Sequence, residues 1–321
     1  MNHQCRICHN HHHNISYQTR EMMLGTHDHF NYFQCSQCGC LQIEIIPANL
    51  ADYYPKQYYS YNDQEKLAGR ALRRWGDHKR VLDITQNASL LGKFFNALSK
   101  PLDYKDYIVA TELSREAKIL DIGCGTGRLI MRMHMGGYYH VVGLDPFVEK
   151  NIQYSNGVRI AKETIENFAD SSKDKFDLIM MHHSLEHMPD QLAPLKAAKT
   201  ILKNTGHLLI RVPLCDSYAW EHYKENWVQL DAPRHLYLNT KKSMEILADT
   251  AGFTIQKIEY DSSKFQFTGS ELYLKGIALN APKKEKDIFT RKQLSQFSKQ
   301  AEDLNLQAQG DQACFYLQHT R

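Results

Sequence analysis

Lys118-Ile119-Leu120-Asp121-Ile122-Gly123-Cys124-Gly125-Thr126-Gly127 is the stretch that decides the fold. Lys118 to Asp121 reads as a short buried strand, and the glycine-rich run follows at once. Arg128 to His134 then has helical character and stops at Gly136-Gly137. Tyr139-His140-Val141-Val142-Gly143-Leu144 reads as a second strand, ending in Asp145 and Pro146. A strand that turns sharply into a helix brings its backbone close to a ligand, and glycines permit that approach. The unpaired N–H groups at the helix start face the same ligand. An acid at the tip of the next strand can accept both hydroxyls of a ribose.

A glycine loop alone is weak evidence. Here it lies between strand and helix, with an acid at the end of the next strand. The spacing is G-x-G-x-G, not the G-x-G-x-x-G of dinucleotide-binding folds. A dehydrogenase and an ordinary tight turn are the competing readings.

The run Ile119 to Gly127 resembles the first motif of class I SAM-dependent methyltransferases. Phe176-Asp177-Leu178-Ile179-Met180-Met181 resembles that family's fourth strand, and His183-Ser184-Leu185-Glu186-His187 its "LEH" segment. Then come Pro189-Asp190, an apolar-periodic helix through Leu202, a Gly206 stop, and a fifth strand at His207–Pro213. Asp231-Ala232-Pro233-Arg234-His235-Leu236, a helix ending at Ala251-Gly252-Phe253, and a last strand around Gly310–Leu317 complete the likeness. It covers roughly residues 116–260 and 311–319 and is specific as a constellation. It implies an α/β, Rossmann-like, seven-stranded SAM-dependent methyltransferase fold. It also implies a cofactor set: Asp121, Gly123, Cys124, Gly125 and Gly127 at the loop, Asp145 and Pro146 at the ribose, and His182 and His183 after strand four. The family often carries an acid for the adenine after strand three (Val158-Arg159-Ile160). The matching position here is Thr164, followed by Ile165, with Glu163 adjacent.

At the amino terminus, Cys5-Arg6-Ile7-Cys8 and Cys35-Ser36-Gln37-Cys38 form two C-x-x-C pairs. Two such turns can close a tetrahedral Zn²⁺ site through Cys5, Cys8, Cys35 and Cys38. A segment of this size has little core of its own, so metal would supply folding energy. The competing reading is two unrelated reduced pairs. Cys40 reads as a bystander, and the His9, His11, His12, His13 run as a solvated loop. The cysteine pairs with Pro47, Tyr53-Tyr54-Pro55 and Tyr58-Tyr59 are similar to the zinc-binding head that precedes many bacterial sugar methyltransferases. That likeness implies a structural zinc and an acceptor such as a nucleotide-linked sugar or polysaccharide precursor.

Three regions follow: a zinc-ribbon-like head over 1–62, a helical cap over 63–115, and the methyltransferase domain over 116–321. The last carries an insertion at about 261–310, with an exposed turn from Pro282 to Asp287 and a polar helix near Arg291 to Leu304. The chain has 321 residues, 42% hydrophobic and 23% charged, which suits a globular core. A net charge of +3 from 39 basic and 36 acidic residues argues against a nucleic-acid partner. No run approaches the roughly 18 apolar residues of a membrane span. The start lacks a secretory pattern, so the expected setting is cytoplasmic.

Methyl transfer to a hydroxyl or carbon acid needs a base. Ligands of open α/β sheets bind at the carboxyl ends of the strands. Glu186 and His187 after strand four and His235 after strand five are the candidates. His187 has a second reading, as a residue that only fixes its loop. His235 beside Arg234 suits either an anionic acceptor or the surface, and Tyr58 and Tyr59 suit either the pocket or packing. The function expected is methyl transfer to a small polar acceptor. The alternatives are an rRNA base methyltransferase with a zinc ribbon and a non-catalytic SAM-binding scaffold. Oligomeric state is left open.

Overall fold

The computed structural model describes residues 4–54, 71–86, 89–282 and 285–320. Pro55, Tyr58, Tyr59 and the boundary at 62 lie outside the described residues, as do Lys283 and Lys284 in the expected turn. The chain forms two compact units. One comprises the described part of Met1–Pro55 with Leu185–Leu192 and Ile210–Thr320; the other comprises the described part of Lys56–Ser184 with Ala193–Leu209.

The first unit opens with β1 (Ile15–Arg20), β2 (His29–Gln34) and β3 (Leu41–Ile43). β1 pairs antiparallel with β2, and β2 with β3. One cysteine turn, Cys5–Cys8, precedes β1, and the other, Cys35–Cys38, joins β2 to β3. Tyr237–Leu238 adds a fourth strand against β3, with Tyr237 opposite Gln42. The amino-terminal head and the segment near residue 237 therefore share one sheet.

The second unit begins with the helices α1 (Ala71–Gln86), α2 (Leu90–Leu98) and α3 (Lys105–Ala110). The described part of 63–115 thus holds these three helices. β4 (Ile119–Ile122) is buried at every position, the signature of a parallel strand covered on both faces. α4 (Arg128–Met135) follows the glycine loop, with Gly127 as its left-handed N-cap and Gly136 as its C-cap. β5 (Val141–Leu144), β6 (Ile152–Gln153), β7 (Arg159–Ala161), α5 (Ile165–Ser171), β8 (Phe176–His182) and α6 (Leu192–Ile201) come next. β9 (Leu202–Pro213) starts in this unit and ends in the other.

Within the second unit the strand order is β9–β8–β4–β5–β7–β6. β4 is parallel to both β5 and β8, and β5 to β7. Reversal of direction along the chain at β4 opens the crevice where such sheets bind ligands. The two-residue β6, antiparallel to β7, adds an edge strand to the seven expected. β9 is longer than the sequence suggests: α6 stops at Ile201 and the strand already runs through Gly206. Gly206 marks a close approach rather than a helix stop, because a Cβ there would stand 2.9 Å from the Phe176 carbonyl oxygen.

The first unit resumes with α7 (Tyr218–Tyr223), β10 (the Tyr237–Leu238 strand), α8 (Lys241–Ala251) and β11 (Phe253–Tyr260). α9 (Phe265–Leu274), α10 (Glu285–Ile288), α11 (Arg291–Leu306) and β12 (Gln312–His319) complete it. β12 lies between β11 and the end of β9 and runs antiparallel to β11. α8 is bounded by a Thr240/Ser243 capping box and a left-handed Gly252. A second box, Thr290/Gln293, starts α11. The expected turn from Pro282 contains one helical turn, α10, whose neighbour Phe289 packs into an apolar cluster with Met22, Val228, Leu272 and Tyr273. Burial of Phe289 explains the helix where polarity suggested a loop.

Candidate functional site

The glycine loop is built by the backbone. Gly123 and Cys124 both donate their N–H to the Leu144 carbonyl, at 2.8 and 3.2 Å, so the loop is tied to the end of β5. Gly123, Gly125 and Gly127 have φ of +72°, +56° and +81°. At Gly123 a Cβ would also stand 2.4 Å from that of Ser184, whose hydroxyl donates to the Ile122 carbonyl at 2.9 Å. Any side chain at Gly123 would thus be strained twice.

Asp145 sits at the tip of β5. Its Oδ2 accepts the Gly125 N–H and its Oδ1 the Phe147 N–H, both at 2.8 Å. Pro146 beside it is half-buried. Asp121 is buried at the end of β4, and its Oδ1 has no hydrogen-bond partner among the described residues. Burial, then the neighbouring Asp145, pushes Asp121 up to about 8. The folded protein therefore retains a proton that the unfolded chain releases near pH 4. Stability should fall as pH rises from about 4 to about 8 and then level off. Asp121→Asn should flatten that slope in urea midpoints measured from pH 5 to 9.

The remaining residues of the expected cofactor set lie in the same unit. The Cys124 thiol is pushed up by burial and then by Asp121, which keeps it neutral. Thr164 is the N-cap of α5, its hydroxyl accepting the Asn167 N–H at 3.4 Å, and Ile165 is buried behind it. His182 packs on Tyr107 with ring centroids 4.9 Å apart. His183 adopts φ +47°, a left-handed conformation uncommon for a residue with a side chain.

In the first unit, Glu186, His187 and His235 converge, one ligand atom of each lying within 4.8 Å of the others. Glu186 is fully buried and lies with His187 on a 3₁₀ turn. His187 Nδ1 is 2.9 Å from the Arg234 carbonyl and 3.1 Å from the Tyr54 hydroxyl. His235 Nδ1 donates to the Gln229 carbonyl at 2.6 Å, and its ring centroid is 4.8 Å from that of His187. Burial, then the adjacent His235, holds His187 below the usual imidazole range, so the ring is neutral near pH 7.

Beneath this cluster Arg234 is wholly buried between Glu21 and Asp231. Its Nε donates to Asp231 Oδ2 at 2.9 Å and its Nη1 to the Tyr53 carbonyl at 3.1 Å. Glu21 also accepts the N–H groups of Met23, Leu24, Gly25 and Thr26, at 2.8–3.1 Å. Burial works to raise Asp231, but Arg234 and then His235 hold it below the usual carboxylate range. Arg234 is thus committed to two internal acids, and His235 is buried rather than on the surface.

The four cysteines Cys5, Cys8, Cys35 and Cys38 also converge. Cys5 and Cys38 sulfurs are 3.6 Å apart, and Cys8 and Cys35 sulfurs 3.5 Å. These separations exceed a disulfide bond and approach the roughly 3.8 Å edge of a tetrahedron with Zn–S of about 2.3 Å. The N–H groups of Ile7 and Gln37 point at the Cys5 and Cys35 sulfurs, each at 3.4 Å, and Gln42 Nε2 reaches Cys5 at 2.9 Å. The hydrogen bond with the Cys38 thiol lowers the Cys5 thiol, and the same contact raises Cys38.

A protein-family profile described as "Methyltransferase domain" matches residues 92–258, more than half of the chain. The chain belongs to the methyltransferase domain family. The matched segment is a SAM-dependent methyltransferase domain and contains the glycine loop and Asp145. The chain is 31% identical over 111 residues to a ubiquinone biosynthesis O-methyltransferase of Xanthomonas campestris pv. campestris, covering 33% of this chain and 46% of that protein. A protein of the same name from Yersinia pestis is 30% identical over 112 residues, with the same 33% and 46% coverage. The chain thus spans about half the length of the curated relatives it matches. A SAM-dependent methyltransferase structure from Archaeoglobus fulgidus is similar at 18% identity and a TM-score of 0.41, covering 67% of this chain and 99% of that one.

In the methyltransferase domain, Asp145 meets the glycine loop at Gly125 and Asp121 lies near it, and Thr164 lies at the start of α5. The sequence reading missed Glu21 and the use of Arg234. No local signal could reveal them, because the pair joins residues more than 200 positions apart. Tyr54 was visible only as part of a tyrosine-rich stretch, not as a partner of His187.

Proposed function

We propose that the protein is a SAM-dependent methyltransferase acting on a small polar acceptor, with a nucleotide-linked sugar or polysaccharide precursor as the first class to test. The observation that carries this reading is the tie between Asp145 and the Gly125 N–H at a left-handed glycine loop. Asp145, held at the tip of β5 beside the glycine loop, would accept the ribose hydroxyls. Gly123, Cys124, Gly125 and Gly127 would offer backbone beneath the methionine part, with Asp121 below them. Pro146, Thr164 and Ile165 would border the nucleoside, and His182 and His183 the end of β8.

When bound, SAM supplies a methyl group activated by its sulfonium. The chain's own residues have the tasks of positioning the acceptor and taking its proton. His187 is the proposed base; its neutral ring can accept a proton, and Glu186 and His235 lie against it. Glu186 follows Ser184, which packs on the glycine loop, by two residues in the chain. The name of the relatives, ubiquinone biosynthesis O-methyltransferase, supports a small-molecule acceptor and makes oxygen the first atom to test.

The sugar class rests on the cysteine head preceding this domain. The four thiols fit a structural Zn²⁺, with Ile7, Gln37 and Gln42 stabilising the thiolates. A cytoplasmic setting, which keeps such thiols reduced, belongs to the same reading. Purified protein should carry one cysteine-held zinc per chain, and Cys35→Ser should lose it by elemental analysis. The loss should also loosen the segment after β9, because Tyr32 donates to the His235 carbonyl at 2.8 Å and Ile43 to that of Leu236 at 3.0 Å. Absence of zinc in protein prepared without chelator would remove the metal from the account.

The functional test is transfer of tritium from methyl-labelled SAM. Label should enter nucleotide sugars or phenolic hydroxyl acceptors and stay out of deproteinised rRNA. Labelling of rRNA alone would overturn the small-acceptor reading.

A further inference from the structure

We propose that Glu186, His187 and His235 form a second metal centre, a divalent-cation site of nitrogen and oxygen ligands separate from the cysteine cluster. One ligand atom from each residue lies within 4.8 Å of the other two, in the interior of the first unit. Both imidazoles are oriented by backbone carbonyls: His187 Nδ1 faces the Arg234 carbonyl at 2.9 Å, and His235 Nδ1 the Gln229 carbonyl at 2.6 Å. A carbonyl only accepts, so each Nδ1 carries the proton and each Nε2 keeps its lone pair. This is how proteins fix the tautomer of metal-ligating histidines.

His235 Nε2 stands 4.0 Å from Glu186 Oε1. That is too long for a hydrogen bond. It does not exceed the sum of two ligand bonds of about 2.0–2.2 Å each to one ion. Asp231 Oδ2 also approaches His235 Nε2, at 3.9 Å, but both Asp231 oxygens already accept from Arg234. In ionised form Glu21, Asp231 and Glu186 carry three negative charges, and Arg234 one positive charge. Among these four side chains the excess of two suits a divalent ion.

Two imidazoles and one carboxylate, with no thiolate, favour Mn²⁺, Fe²⁺, Co²⁺ or Zn²⁺ and leave open positions on the ion. An acceptor hydroxyl bound at an open position would be oriented and made more acidic. This use rests on the methyltransferase reading and takes the base role away from His187, whose one Nε2 lone pair cannot hold both the ion and a proton; the cation site itself does not rest on that reading.

The test uses the full chain with its cysteine-held metal retained. Mn²⁺ is titrated in and followed by electron paramagnetic resonance, and bound Co²⁺ by its visible spectrum. The expected result is one saturable Mn²⁺ per chain, and Co²⁺ bands without thiolate charge transfer. Glu186→Gln and His235→Gln should each weaken Mn²⁺ binding at least tenfold while melting temperature and SAM affinity hold. Lack of saturable binding in the wild type, or binding unchanged in both variants, would overturn the site. Because the wild-type spectra decide it as well, a variant that fails to fold does not rescue the proposal. If Mn²⁺ does not bind and His187→Ala still loses turnover with SAM affinity intact, the cation site falls and the base reading stands. If Mn²⁺ binds as described and no acceptor is methylated, the site stands and the methyltransferase reading falls.

Discussion

His187→Ala is expected to lower kcat by about 10²–10⁴-fold, the usual worth of a positioned base. SAM affinity should change little, because the glycine loop and Asp145 are held by their own backbone hydrogen bonds to Leu144 and Phe147. The variant separates two roles for this ring. It touches the Arg234 carbonyl and the Tyr54 hydroxyl, so it also fixes its loop. If loop-fixing were its whole contribution, melting temperature and KM would move together with turnover. Loss of kcat with melting and SAM affinity preserved assigns the ring to the chemistry. His235→Ala should mainly raise KM if that ring only orients the acceptor. Full kcat in His187→Ala with the true acceptor would shift the proton to Glu186 or His235.

Arg234→Met is expected to cost about 3–5 kcal/mol of stability, because it strips the partner from two buried carboxylates. Glu21 and Asp231 would then face each other's charge in a site from which water is excluded. Domains are stable by only about 5–15 kcal/mol, so a loss of this size is readily seen in urea midpoints. Glu21→Gln should cost less, since the amide oxygen still accepts two of the four loop N–H groups and Asp231 still pairs with Arg234. A change under about 1 kcal/mol for Arg234→Met would show that the buried pairing contributes little net stability. The same substitution should disturb the acceptor cluster, since the Arg234 carbonyl holds His187 and Asp231 lies beside His235.

The parts legible in the sequence share one property: their physics is local. The strand–glycine–helix run needs only the backbone rules at Gly123 and Gly127, and Asp145 follows within twenty residues. The stop of α8 at Gly252 is likewise written in neighbouring residues. Longer-range features were hidden. β10 completes the amino-terminal sheet from about 200 residues away, and two-residue strands carry no periodic signal. Gly206 looked like a helix stop because only the fold reveals the Phe176 carbonyl beside it. Arg234 looked like a surface or anion-binding residue because its two acids are not both near it in sequence. Helix α10 was concealed by a polar stretch whose one decisive feature is the burial of Phe289.

The central claim is that the glycine loop and Asp145 bind SAM. Calorimetric titration of SAM into the wild-type protein and into Asp145→Ala tests it most directly. The account predicts one site per chain in the wild type and a loss of about 1.5–3 kcal/mol in the variant, the value of hydrogen bonds to a charged group. Unchanged affinity in Asp145→Ala, or no binding of SAM by the wild type, would contradict it.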